Sequence, residues 1–64
     1  MPNITIDGPK LEDVEKKRKL VREVTQSVFE AYGIPKEHIV VTLQEHSSHN
    51  VATGGVLISD KHKE

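Results

Sequence analysis

The chain has 64 residues, with nine Lys and Arg against ten Asp and Glu, and its formal net charge is −1. This balance excludes the basic surface that marks nucleic-acid-binding proteins. No apolar run approaches the ~20 residues of a membrane span, and no segment resembling a signal peptide follows the start. We therefore expect a soluble, cytoplasmic protein with neither nucleic acid nor membrane as a partner.

The small size of the chain predicts self-association. A domain of this length hides only about 60% of the surface that its unfolded form exposes, so it needs a further source of stability. The sequence has no Cys for disulfides, no evident metal-binding motif and only one Tyr and one Phe. We therefore expect residues 1–64 to form a single domain that oligomerises.

The N-terminal stretch alternates apolar and polar residues, which predicts a strand over residues 2–7. A turn cluster at residues 7–9 should close this strand. Pro2 stands at its start, directly behind Met1. Removal of Met1 would make the Pro2 nitrogen a secondary amine, although proline is also common near N-termini, where its missing N–H costs nothing.

An amphipathic helix should follow the first strand. Residues 11–18 are acidic first and basic afterwards, which is the order that a helix dipole favours, so the helix should begin near residue 12. Gly33 and Pro35 predict its end. The stripe that faces the sheet recurs at steps of three and four residues: Val14, Lys17, Val21, Val24, Val28 and Ala31.

A second strand is predicted over residues 39–45, with apolar side chains on both faces. Strand, helix and strand in this order predict a βαβ unit with parallel strands. Parallel sheets are normally covered on both faces, and one helix covers only one. We therefore expect a second copy of the chain to cover the other face.

The C-terminal part begins with a polar loop over residues 46–50. Gly54 and Gly55 indicate a turn, and residues 56–58 are typical of a short β arm that adds to a sheet edge, either of its own chain or of a neighbouring copy. The charged residues 59–64 should be frayed.

Together these segments resemble the 4-oxalocrotonate tautomerase family over nearly the whole chain. The resemblance rests on Pro2 opening a strand, the helical segment over residues 17–24, the strand that closes on Glu45, and the motif at residues 50–55 before an apolar arm. Two further motifs are similar to the short archaeal and bacterial members: Gly8-Pro9-Lys10-Leu11 and Tyr32-Gly33-Ile34-Pro35.

The resemblance implies an α/β (α+β) protomer, a βαβ unit with a C-terminal β-hairpin, which assembles as a hexamer, a trimer of dimers. It implies a tautomerase, an isomerase in which Pro2 moves a proton in the keto–enol tautomerisation of a 2-hydroxy-dienoate or 2-oxo acid. It implies no cofactor and no metal. A neutral amine is needed to accept the proton, and it works best when its pKa lies near the working pH.

The sequence departs from the family pattern at three positions. Glu12 and Val40 stand where the best-studied members have arginines, and Val51 replaces a phenylalanine that often lines the pocket. We expect Val40 and Val51 to shape the pocket. Lys17 is one candidate for the missing cation, although its stem can also extend to solvent from the apolar stripe. Lys10, in the predicted turn, is the other candidate, although it can equally be a solvated turn residue.

The remaining polar residues give weaker signals. His46 and His49 are three residues apart in a polar loop, which is a weak metal pattern, and we expect a solvated loop there. Glu45 either accepts hydrogen bonds from loop backbone or simply ends the strand. Arg18 and Arg22 point away from the apolar stripe and should be solvated or interface charges.

A second hypothesis differs in class from the enzyme. The loss of both arginines is also consistent with a self-assembling structural or binding module that keeps the scaffold without efficient catalysis. The two hypotheses separate on whether Met1 is removed and whether Pro2 supports turnover.

Overall fold

The computed structural model describes residues 1–61. Two short 3-10 turns at Lys36–His38 and Ser48–Asn50 join the regular elements. In chain order these elements are β1 (Asn3–Pro9), α1 (Val14–Tyr32), β2 (Val40–His46), β3 (Ala52–Thr53), β4 (Val56–Leu57) and α2 (Ile58–Lys61).

Strands β1 and β2 lie side by side and run parallel, with α1 as the connection between them. Their register pairs Asn3 with Val40 at one end and Pro9 with His46 at the other. The predicted βαβ unit with parallel strands is therefore confirmed.

Strand β1 is longer than the sequence predicted. The predicted turn cluster at residues 7–9 stays within the strand, and the chain leaves the ladder only after Pro9. Proline is tolerated there because a strand end needs no further N–H donor. The interpretation of these residues as a turn was wrong.

Both ends of helix α1 are capped: a side chain or a backbone group bonds to backbone groups that have no partner within the helix. The Asp13 carboxylate accepts from the backbone N–H of Glu15 at 2.9 Å, so Asp13 is the N-cap one residue after the predicted start. Gly33 has φ 70°, a left-handed conformation that favours glycine, and its N–H donates to Phe29 O at 2.8 Å. The predicted glycine end of the helix is confirmed.

One face of the two-stranded sheet carries most of the sheltered apolar residues. Ile39, 8% exposed, is the one hydrophobic residue classed as buried within residues 1–61. The half-buried aliphatic residues on this side of β1 and β2 and along α1 are Ile4, Ile6, Val41, Leu43, Leu20, Val21, Val24 and Val28. This core is thin, so a single chain leaves much of its apolar surface in water.

The opposite face of the sheet is exposed and is more polar than the sequence analysis expected. Val40 lies there and is 42% exposed. Its other exposed residues are Asn3, Thr5, Asp7, Thr42, Gln44 and His46. The interpretation of β2 as a strand with two apolar faces therefore holds for Val40 but not for the strand as a whole.

The C-terminal part forms a hairpin that lies apart from the first sheet. Strands β3 and β4 pair antiparallel, and both turn glycines have positive φ, 57° at Gly54 and 80° at Gly55, as a tight hairpin turn requires. The arm therefore pairs within its own hairpin. Residues 58–61 form a helical turn instead of the predicted frayed end, and residues 62–64 lie outside the described part of the chain.

The chain is elongated for its length. Its radius of gyration is 15.2 Å and its extents are 46 × 24 × 13 Å. A compact chain of this length has a radius of gyration of about 11 Å. Exposed apolar side chains occur along the hairpin, including Val51, Val56 and Leu57. This shape and surface are typical of a subunit whose core is completed by neighbouring copies. Within residues 1–61, α1 lacks the apolar length needed to cross a bilayer.

Candidate active site

Pro2 lies at the entrance to β1 and is held there by the backbone. Its carbonyl oxygen accepts a hydrogen bond from the N–H of Val40 at 3.1 Å. Pro2 is half-buried, whereas Met1 is 80% exposed. Met1 is therefore open to solvent, and the backbone of Pro2 is held at one end of the sheet.

Lys17 lies at the start of α1 and forms an ion pair with the last part of β2. Its Nζ is 2.8 Å from Oε2 of Glu45, and the two side chains are 33% and 25% exposed. The same carboxylate oxygen accepts from the backbone N–H of Leu11 at 3.2 Å. The hydrogen bond from Lys17, together with the one from Leu11, holds the pKa of Glu45 below its usual range.

The lysine candidates stand at the opposite end of the sheet from Pro2. Glu45, the partner of Lys17, pairs in register with Gly8, and Lys10 directly follows β1. Six residues of extended strand separate Pro2 from Gly8, which amounts to roughly 20 Å. A single protomer therefore brings Val40 next to Pro2 but leaves Lys10 and Lys17 far from it.

A cavity of about 600 Å³ opens between the ends of β1 and β2 and the C-terminal hairpin. Val51, the residue at the family's phenylalanine position, lines it. The other lining residues are Asp7, Gly8, Pro9, His46, Ser48, Asn50 and Ile58. The cavity has the size of a small-molecule site, and it lies at the end of the sheet away from the protomer's own Pro2.

Two side chains that line this cavity are hydrogen-bonded to each other. Nε2 of His46 lies 2.8 Å from Oδ1 of Asp7, and the two side chains are 43% and 65% exposed. His46 ends β2 instead of belonging to a loop, and the sequence analysis gave Asp7 no role beyond a turn. The alternation of side chains along a strand could have indicated this contact, because it places Asp7 and His46 on the same face of two strands predicted to be parallel.

The second histidine of the predicted polar loop has a different environment. The backbone N–H of His49 donates to Oγ of Ser47 at 3.1 Å and starts a 3-10 turn. Within residues 1–61, no three His, Cys, Asp or Glu side chains are grouped closely enough to hold a metal ion.

The chain matches the family model of tautomerase enzymes over residues 2–61 and belongs to this family. It is 39% identical to a probable tautomerase of Bacillus cereus over 61 residues, 95% of this chain and 100% of the relative. It is 37% identical to the 2-hydroxymuconate tautomerase of Bacillus subtilis, covering 94% of this chain and 97% of that one.

A solved structure gives the same assignment. The fold matches the crystal structure of DmpI from Archaeoglobus fulgidus with a TM-score of 0.81 and 41% sequence identity, covering 92% of this chain and 100% of that chain. The expected family resemblance and fold class are therefore confirmed, and family membership supports a tautomerase activity.

Proposed function

We propose that this protein is a cofactor-independent cytoplasmic isomerase whose Pro2 amine, freed by removal of Met1, tautomerises a 2-hydroxy-dienoate or 2-oxo acid. The observation that carries the proposal is the placement of Pro2. Its carbonyl is anchored to Val40 at 3.1 Å, so its nitrogen is held at the sheet end as part of an ordered strand. An α-amine has a pKa of about 8 in water, which suits a group that takes and returns a proton near neutral pH.

The proton shift needs no change of oxidation state. The neutral Pro2 nitrogen accepts the proton of the substrate hydroxyl while the carbon–carbon double bonds shift, and the resulting ammonium returns the proton to a carbon atom. Negative charge accumulates on the substrate carboxylate and enolate oxygen during this transfer, so a cation or N–H donor is required nearby.

Neighbouring subunits would complete the pocket. Lys17 and Lys10 are roughly 20 Å along the strand from the Pro2 of their own chain, so either one could serve only the Pro2 of another copy. We propose a homohexamer, a trimer of dimers, in which Val40 and Val51 shape the apolar wall and one of these lysines polarises the substrate. The thin core and the exposed hairpin support assembly.

The test is ketonisation of 2-hydroxymuconate and of an arylpyruvate enol by the Met-processed protein, with intact mass showing that Met1 is gone. A matched form carrying one extra N-terminal residue keeps the proline ring but converts its nitrogen to an amide. We expect this form to lose roughly 10²- to 10⁴-fold in kcat, and Pro2→Ala to fall as well. Equal rates for the wild type and Pro2→Ala would refute the proposal.

The alternative is a self-assembling module without efficient catalysis. Glu12 and Val40 at the arginine positions and the engagement of Lys17 by Glu45 favour it. A well-formed oligomer with Met1 retained and no measurable ketonisation would support this alternative.

A further inference from the structure

The cavity beside the hairpin contains a basic side chain, whereas the two family arginine positions provide none in this chain. The residues at the arginine positions, Glu12 and Val40, carry no positive charge, and Lys17 is bound to Glu45. Among the residues that line the 600 Å³ cavity, His46 is the one basic side chain.

The lining of the cavity is mixed in chemistry. It includes the apolar side chains of Pro9, Val51 and Ile58 and the polar side chains of Ser48 and Asn50 as well as His46. Asp7 engages Nε2 of the His46 ring at 2.8 Å. A carboxylate in this position fixes the ring orientation and leaves Nδ1 for a ligand.

A catalytic proline can lie at this cavity only if it belongs to another copy of the chain. Its lining includes Gly8 and Pro9 from the far end of β1, about 20 Å from the protomer's own Pro2. Val51, which the family pattern places in the pocket, lies in this same cavity. The exposed apolar hairpin and the elongated shape favour contact with a second copy at this end of the protomer.

We propose that His46, oriented by Asp7, binds the carboxylate of a monocarboxylic 2-oxo or 2-hydroxy acid, in a pocket that Pro2 of a second copy completes. The proposal rests on the tautomerase function proposed above and names its substrate class. The apolar lining residues receive the carbon tail of the substrate. The second carboxylate of a diacid would have to lie among them without a positive partner, which is unfavourable.

The kinetic test compares an arylpyruvate enol with 2-hydroxymuconate, using oligomeric, Met-processed protein. We expect a higher kcat/KM for the arylpyruvate enol. His46→Gln should raise its KM roughly ten- to hundredfold with a smaller change in kcat, because a hydrogen bond to a charged group is lost. His46→Arg should restore the KM, and the control His49→Gln, whose side chain does not line the cavity, should leave it unchanged.

Asp7 provides the test of substrate class. Asp7→Asn should shift the preference toward the diacid by about fivefold, because it removes a like charge from the pocket. An unchanged KM in His46→Gln, or an equal effect of His49→Gln, would overturn the assignment of His46. A wild-type preference for the diacid, or a preference that Asp7→Asn leaves unchanged, would overturn the substrate class.

A binding measurement separates this proposal from the role of Pro2. The His46 ring resonances are followed by NMR while 3-phenylpropanoate, an unreactive monocarboxylate, is added to the wild type and to Pro2→Ala. Saturable shifts at His46, and not at His49, in both proteins support the carboxylate site even if Pro2 proves not to be the base. Their absence in the wild type overturns it, whatever the turnover assays show.

Discussion

Lys17 and Glu45 join the first turn of α1 to the end of β2 through a 2.8 Å contact between Nζ and Oε2. The same carboxylate oxygen accepts the Leu11 N–H at 3.2 Å, so one side chain holds together the helix, the strand and the connection between β1 and α1. Lys17 lies on the apolar stripe of α1, where an uncompensated charge would be unfavourable. Glu45 supplies the compensating charge.

The first prediction concerns the pH dependence of stability. The folded-state pKa of Glu45 is lowered by the Lys17 and Leu11 hydrogen bonds from an ordinary value of 4.5. The stabilisation is therefore fully present above pH 4.5 and is lost as the pH falls through the lower folded-state pKa. Glu45→Gln should be less stable than the wild type at pH 7, and the difference should shrink in acid.

The measurement is denaturant unfolding at fixed protein concentration from pH 7 to pH 2.5. Glu23→Gln is the matched control, because the pKa of Glu23 is also lowered, through its Lys19 hydrogen bond, on an exposed helix surface. Its effect should be smaller, since exposed pairs contribute little. A difference between Glu45→Gln and the wild type that stays constant with pH would contradict the assigned cause.

The second prediction separates the structural and functional roles of Lys17. Lys17→Met keeps an unbranched apolar stem but removes the partner of Glu45, so it should destabilise the fold. Combined with Glu45→Gln, its effect should be less than additive, because both changes remove the same interaction. A double-mutant cycle of unfolding free energies measures this coupling.

Enzyme kinetics on the same variants test the other role. If Lys17 only ties α1 to β2, the KM of refolded, oligomeric Lys17→Met stays at the wild-type value. A large rise in KM without loss of the oligomer would instead assign Lys17 to substrate binding.

The third prediction concerns the start of α1. Asp13→Ala removes the acceptor for the Glu15 N–H at 2.9 Å and should lower the free energy of unfolding by about 1 kcal/mol. Ser27→Ala, an exposed change in the interior of α1, should have a near-neutral effect, since alanine is a good helix former. Equal losses for the two variants would show that Asp13 does not act as a cap.

The fourth prediction concerns assembly through the hairpin. Leu57 is 39% exposed in the single chain, and we expect a neighbouring copy to cover it. Leu57→Asp should shift the protein to smaller species in sedimentation velocity, because a buried charge without a partner opposes association. Val14→Glu alters an exposed apolar residue outside the hairpin and should leave the oligomer intact. An unaltered oligomer in Leu57→Asp would place the interface elsewhere.

The local elements could be predicted because their signals are carried by neighbouring residues. The run from Ile4 to Ile6 predicted β1, and Gly33 predicted the end of α1 at Tyr32. The end of β1 could not be predicted this way. The residues 7–9 are typical of a turn, but their pairing with the end of β2 keeps them extended, since tertiary pairing overrides local preference.

Contacts between distant residues were less accessible to sequence reasoning. Glu45 was expected to bind loop backbone or to end a strand. Its partners, Leu11 and Lys17, lie in another connection and in the helix, 34 and 28 positions away in the sequence. The bond between Asp7 and His46 likewise depends on the register of the two strands.

The sequence by itself determined that Pro2 opens a strand, that an amphipathic helix joins two parallel strands and that the chain resembles tautomerases, because each conclusion rests on local periodicity or on short motifs. The tertiary structure decided which polar side chains meet. The parallel register places His46 near Asp7, and the position of α1 on the sheet places Lys17 beside Glu45, both at the end of the sheet opposite Pro2. Because these contacts join residues far apart in the chain, only the tertiary structure fixes them.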